Sequence, residues 1–422
     1  MSAAAYLDLP VSRAAGEPDW VTQQRLVALD RFRTLKFPGR NNEAWRLTDL
    51  KVFDGAVFAP LTDAVAGDTG WARQVVQALR LPGAHLFVLV NGRHAPDLSD
   101  PGAPDGVTLV PLARKPAAAE PLLALIADGF AALGAVHFRD GAVLRFDGDT
   151  AQPVQVLHLT DAATGRASVH GLMRVEVAAG AHGVLLETHS GRGDYWNNQG
   201  SLIVVGEKAH FTHAKQVAED TAAVHIARQA VRIGAQARYD GYVLTEGGRL
   251  VRQDTMADLQ GDHGFCGYNA VTLRRAGQAT VASEITHDAR ACETREIVKS
   301  VADGTGHALF QGRINVTPKG QKTDAYQLSQ ALLLSEDART DAKPELEILA
   351  DDVKCSHGST VGDLDETQMF YLVSRGLSRA EARALLIGGF CAAAFETLED
   401  AAMRDHLTAR LDVWLGRQEA AA

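Results

Sequence analysis

The feature that most constrains this chain is a loose repeat in its middle. Across about residues 141–361, short alternating runs such as Met173/Val175/Val177, Val231/Ile233 and Phe310/Ile314/Val316 each give way to small or polar turn residues. A strand end followed by glycine recurs at Val177-Ala-Ala-Gly180, Val204-Val-Gly206, Val231-Arg-Ile-Gly234 and Leu259-Gln-Gly261. The glycine intervals are 26, 28 and 27 residues, and Gly277 to Gly304 is again 27. A unit this short buries its apolar face only by stacking on its neighbours. Short strands without long crossover helices favour a β-solenoid over a doubly wound sheet. The repeat spacing favours it over the remaining reading, a β-sandwich with regular hairpins. The hand of the coil is not legible from spacing, and residues 327–334 are ambiguous between strand and helix.

The flanks differ in texture. Residues 1–140 are mixed: the apolar positions of 18–33 follow a helical period, and Lys36-Phe-Pro-Gly39 ends that helix. Residues 84–90 read as a strand running into an Asn91-Gly92 turn, with 107–112 as its candidate partner. Residues 122–133 look helical. From 362 to 422 the chain reads as helices. Asp365-Glu366 suits a helix start, Gly376 a helix end, and Ser378-Arg-Ala-Glu381 a capping box for the next helix. A final helix is expected over 398–415.

Composition narrows the function classes. Lys and Arg number 42 against 52 Asp and Glu, a net charge of −10 with no basic block. That argues against nucleic acid or an anionic membrane as partner. Cys266, Cys292, Cys355 and Cys391 form no C-x-x-C pair and no disulfide framework, as expected of a reducing, cytoplasmic compartment. The start, MSAAAYLDLP, has no signal-peptide pattern, and the most apolar helical run, 384–395, is too short to span a bilayer.

A search for enzyme chemistry finds little. Gly320-Gln-Lys322-Thr323 resembles the end of a P-loop but lacks the glycine-rich cradle, so no nucleotide hydrolysis is expected here. Solenoid hydrolases use paired carboxylates. Asp351 and Asp352 are adjacent, so in a strand they face opposite ways and read as solvated turn residues. His210 and His213 fall on opposite faces of a strand. His263 with Cys266 is a weak pair, and Cys292, near His287, reads as a small buried hydrophobe. Cys355-Ser-His357 is different. Its i, i+2 spacing in an extended segment puts thiol and imidazole on one face. A neighbouring imidazole favours thiolate, the metal-binding form, and both donors suit iron and zinc. Two ligands do not complete a site, so the others have to come from elsewhere. On the pattern alone, core packing remains the stronger alternative.

Longer motifs add to this. Lys343-Pro-Glu-Leu-Glu-Ile-Leu-Ala-Asp-Asp-Val-Lys-Cys-Ser-His-Gly358 resembles the SufD family closely. So do Gln321-Lys-Thr-Asp-Ala325, Leu332-Leu-Leu-Ser335, Phe370-Tyr-Leu, Ser374-Arg-Gly376 and, near the start, Asn42-Glu-Ala-Trp-Arg-Leu-Thr-Asp49. The paralogue SufB carries an E-H-E-A-T-type segment where this chain has Cys355-Ser-His-Gly-Ser-Thr360, a contrast that points to SufD. The resemblance implies a mainly β fold: a right-handed parallel β-helix (141–361) between an N-terminal α/β domain (1–140) and a C-terminal α-helical domain (362–422). It implies a non-catalytic scaffold of iron–sulfur cluster assembly, paired with SufB through the β-helix ends. The ATPase SufC would dock on the C-terminal helices and hydrolyse the ATP. The Fe–S cluster would be transient and shared with SufB, with His357, and less firmly Cys355, as metal-site residues at that interface. A homodimer of the isolated chain stays open. The competing readings are a β-solenoid polysaccharide hydrolase or lyase and a purely structural β-helix partner. Against the first stand the 6% aromatic content and the missing signal peptide.

Overall fold

The computed structural model describes residues 4–11, 17–39, 41–54, 57–61, 69–123, 126–150 and 152–416. The start of the chain, read for a signal peptide, lies partly outside them.

The middle of the chain is a parallel β-solenoid of about eight turns. Its first two coils are the long strands Val154–Val177 and His182–Val205. Each later coil contributes one strand to either of two stacks. The first stack runs His210–Ala218, Arg238–Thr245, Phe265–Arg274, Glu293–Ala302, Asp324–Leu333 and Lys354–Gly362. The second runs Val224–Ile233, Leu250–Leu259, Gln278–His287, His307–Val316 and Arg339–Ile348. The stretch left ambiguous between strand and helix is strand. Alternation sets facing: Val251, Gln253, Thr255, Ala257 and Leu259 point to the lumen, while Arg252, Asp254 and Met256 point outward, where Trp45 and Thr48 of the N-terminal flank cover Arg252.

The register explains the glycine repeat. His182 pairs with His210 and His210 with Arg238, steps of 28 residues. Val224 pairs with Leu250, a step of 26, and His307 with Arg339, a step of 32. Gly206, Gly234 and Gly261 stand at one corner of successive coils, where backbones touch. A Cβ on Gly206 would lie 2.8 Å from the Val177 carbonyl oxygen, and one on Gly261 2.2 Å from Ala235 N. Only glycine fits there.

The N-terminal flank covers the solenoid's first coils. The strand His85–Val90 pairs in parallel with the first half of Val154–Val177, and Gly141–Phe146 pairs with its second half. Residues 107–112 do not partner 84–90. Asn91 and Gly92, both at positive φ, return the chain to the two-residue strand Arg93–His94, and Val107–Pro111 pairs antiparallel with Gly141–Phe146 instead. The expected helix over 122–133 is two: Glu120–Leu123 and Gly129–His137, the second started by Asp128, whose carboxylate accepts from Ala131 N. Helix Asp19–Leu35 and helix Gly129–His137 lie on the second stack. Beside them an aromatic cluster of Phe32, Phe37, Trp45, Phe53, Phe58 and Phe130 closes over Trp196.

Among the described residues the tail has three α-helices, Glu366–Ser374, Arg379–Ala392 and Ala401–Trp414. Asp365, the Ser378/Glu381 capping box and Asp400 start them, and Gly376 at φ 98° ends the first. The last two bury Ile387, Cys391, Met403, Leu407 and Leu411 against outward-facing Val184, Leu186, Leu244, Leu273 and Val301 of the first stack. Tyr242 Oη meets Thr397 Oγ1 at 3.0 Å and Arg410 Nε donates to Glu246 at 3.0 Å across that seam.

Candidate functional site

The solenoid's far end has no lid among the described residues. Lys354–Gly362 pairs only with Asp324–Leu333, and Arg339–Ile348 only with His307–Val316, so both strands present a free edge. Such edges carry unpaired N–H and C=O groups that pair readily with another chain. Pro344, in the middle of Arg339–Ile348, belongs to the one kind of strand that tolerates it. Apolar side chains sit exposed beside these edges: Ile348, Leu349 at 63% and Val361 at 53%. The core beneath is thin, built from Ile314, Val316, Ala325 and Ala350, with Leu346, Val353 and Cys355 packed on it.

Cys355 and His357 lie on the terminal strand. Their register partners, Ala325 and Gln327, are buried residues of the coil below. Cys355 and His357 therefore share the lumen-facing side, at the point where the lumen opens. His357 is exposed and Cys355 half-buried. Burial pushes the Cys355 thiol up, the Ala325 backbone N–H offsets this in part, and Asp324 pushes it up further. The thiolate expected from the neighbouring imidazole is thus disfavoured in the chain by itself.

The other pairs resolve as structural groups. His210 Nε2 lies 2.9 Å from Asp240 Oδ2, while His213 points into the lumen, 3.3 Å from Tyr239 Oη. His263 is an exposed turn residue at positive φ, and Cys266 is fully buried among apolar side chains. Cys292 is buried in the same core, its Sγ 3.4 Å from the Gly261 carbonyl. His287 is satisfied by Thr294 and Thr323 at 2.9 and 3.3 Å. Asp351 and Asp352 are exposed turn residues. Gly320 to Thr323 form a coil-to-coil turn with Lys322 at positive φ, its N–H donating to the Asp352 carbonyl, and make no phosphate cradle.

One surface escaped sequence reading. The first tail helix buries only Met369, leaving Phe370 74%, Tyr371 55% and Val373 41% exposed, and Leu385 of the next helix is 43% exposed beyond them. The helix itself was legible from its start at Asp365-Glu366 and its end at Gly376, but not that its apolar residues face away from the solenoid. Among the described residues no helix is long and apolar enough to cross a membrane.

Comparison with known proteins gives a consistent result. The family profile described as "SUF system FeS cluster assembly, SufBD core domain" matches residues 158–390. The chain is 29% identical over 382 residues to the iron–sulfur cluster assembly protein SufD of Escherichia coli, covering 89% of this chain and 88% of the relative. It is 29% identical over 418 residues to the SufBD family protein slr0076 of Synechocystis, covering 93% and 90%. It is 31% identical to SufD of Bacillus subtilis, over 46% of this chain and 44% of that protein.

Proposed function

Because the chain is a SufD-like member of the SufBD family of SUF-system iron–sulfur cluster assembly proteins, we propose that it is a non-catalytic scaffold subunit whose open β-helix end pairs with SufB. His357, with Cys355 beside it, would face the partner's ligands there and hold a nascent Fe–S cluster in transit. The observation that carries this is the position of His357: exposed, on a free edge strand, at the mouth of the lumen. Parallel coils stacking end to end continue both strand ladders, and Ile348, Leu349 and Val361 give the joint an apolar centre. Cluster assembly also accounts for the half-formed ligand set, since iron lowers the effective pKa of a coordinating thiol that burial holds up.

The exposed stripe of Phe370, Tyr371, Val373 and Leu385 would receive SufC, the subunit expected to hydrolyse ATP. An apolar helix face of which Met369 is the one buried residue suits a partner that binds and releases. The net charge of −10, with no basic block in the sequence, fits a protein-binding role in the cytoplasm rather than nucleic acid or membrane.

Co-expression with SufB and SufC tests the proposal. Copurification of all three, and an Fe–S absorbance under anaerobic conditions that His357→Ala abolishes while leaving the complex intact, is the expected result. A His357→Ala complex that assembles and builds clusters normally would reduce this chain to a structural partner.

A further inference from the structure

The lumen of the first three coils holds a buried polar cluster that the terminal site does not involve. His158, Glu187, His189, His213 and Lys215 all face inward and are nearly inaccessible to solvent. Register assembles them: His158 pairs with His189, and Glu187 with Lys215, on successive coils. The imidazoles of His158 and His189 stack with centroids 4.3 Å apart. His189 Nε2 lies 2.5 Å and Lys215 Nζ 3.2 Å from Glu187 Oε1. His158 Nε2 is 3.9 Å from that same oxygen, and His213 Nε2 is 3.4 Å from the other, Oε2. Valines close the cluster off: Val156 and Val243 flank the Glu187–Lys215 pair along the stack, and Val217 follows His189.

Three polar atoms here have no hydrogen-bond partner among the described residues: His158 Nε2, Glu187 Oε2 and His213 Nε2. An unpartnered buried polar atom costs about 1–3 kcal/mol, and two open imidazole nitrogens flanking a carboxylate with an open oxygen of its own call for a common ligand. Donor atoms of His158, Glu187 and His189 all lie within 4.8 Å of one another. Around a tetrahedral ion with bonds near 2.1 Å, donors stand about 3.4 Å apart, so small side-chain rotations close the set. Imidazole and carboxylate together suit iron(II) and zinc(II) over calcium or magnesium.

We propose that this cluster is a structural or storage site for a first-row divalent metal ion, held by His158, Glu187 and His189, with His213 on the far carboxylate oxygen. Lys215 is the internal competitor: its ammonium occupies the Glu187 oxygen that the ion would take. The site is separate from the terminal Cys355/His357 pair and does not rest on that pair's role.

The full-length protein, incubated with iron(II), zinc(II) or cobalt(II) and then desalted, tests this by elemental analysis, thermal melting and the visible bands of cobalt. We expect roughly one equivalent retained with a raised Tm, and at least tenfold weaker binding in His189→Gln. His158→Gln serves if that variant melts abnormally without metal. Lys215→Met should bind at least tenfold tighter. The Cys355→Ala/His357→Ala double variant should keep its metal, whatever happens to cluster formation with SufB. No retention of any of the three ions, unchanged binding in both histidine variants, weaker or unchanged binding in Lys215→Met, or loss of metal in the double variant would each overturn the site.

Discussion

The two ends of the solenoid face the same difficulty and meet it differently. A stack of coils exposes an apolar lumen and free strand edges wherever it stops. At the first coils the chain supplies its own cover: His85–Val90 and Gly141–Phe146 pair onto the edge, and on the outer face of these coils Phe37, Phe53 and Phe130 pack edge-on around Trp196. At the last coil no such cover exists among the described residues, and Leu349 and Val361 stay in solvent. One end is covered by the chain itself, and the other is the one proposed above for association. The lumen repeats the contrast in its carboxylates. Glu187, in the early coils, is held well below the usual carboxylate range. Its burial pushes the other way, but Lys215 and the surrounding histidines outweigh it. Glu296, in the later coils, is hydrogen-bonded by Ser283 and Gln327, and burial pushes it up to about 7.

Trp196→Ala at the closed end should have the largest effect. It deletes the centre of the aromatic cluster and should cost about 3–5 kcal/mol in urea unfolding, as large aromatic truncations in cores do. A loss under 1 kcal/mol would mean the cover is dispensable. Next comes Glu296. Its carboxyl binds a proton more tightly in the folded chain than in the unfolded one. Its contribution is therefore fully present below pH 4.5 and is lost as pH rises through 7. Glu296→Gln should exceed the parent in stability by roughly 3 kcal/mol at pH 8, with little difference at pH 4. A difference that does not vary with pH would mean that Glu296 ionises freely. The smallest effect on the chain itself belongs to Leu349→Asp at the open end. Stability should change by no more than about 0.5 kcal/mol, while affinity for SufB, by titration of purified subunits, falls at least tenfold. Destabilisation with intact pairing would reverse the contrast between the ends.

The coils were readable because their constraint is local and repeated. Corner glycines where backbones meet recur over three successive coils at Gly206, Gly234 and Gly261, and strand alternation sorts lumen from surface. The helix caps were legible for the same reason: Asp365, Ser378 and Glu381 act within one turn of where they stand. What failed needed distant information. Val107–Pro111 chooses Gly141–Phe146 over the nearer strand because the tight Asn91-Gly92 turn feeds Arg93–His94 there first. The lumen cluster was invisible because His158, His189 and Lys215 meet only once the coil offset is known to the residue. At the terminal strand, the shared face of Cys355 and His357 followed from spacing, whereas the uncovered edge above them did not. Nor did the raised thiol of Cys355, which depends on its depth in the thin end core.

Only residues 363–365 separate Gly362, the end of the terminal strand, from Glu366, the start of the first tail helix. Four residue steps reach about 14 Å when fully drawn out. The helix with the bared aromatic stripe is therefore on a short leash. Any swing that carries it farther from the coil than that must peel the strand bearing His357 from its one neighbour or drag the whole end of the stack along.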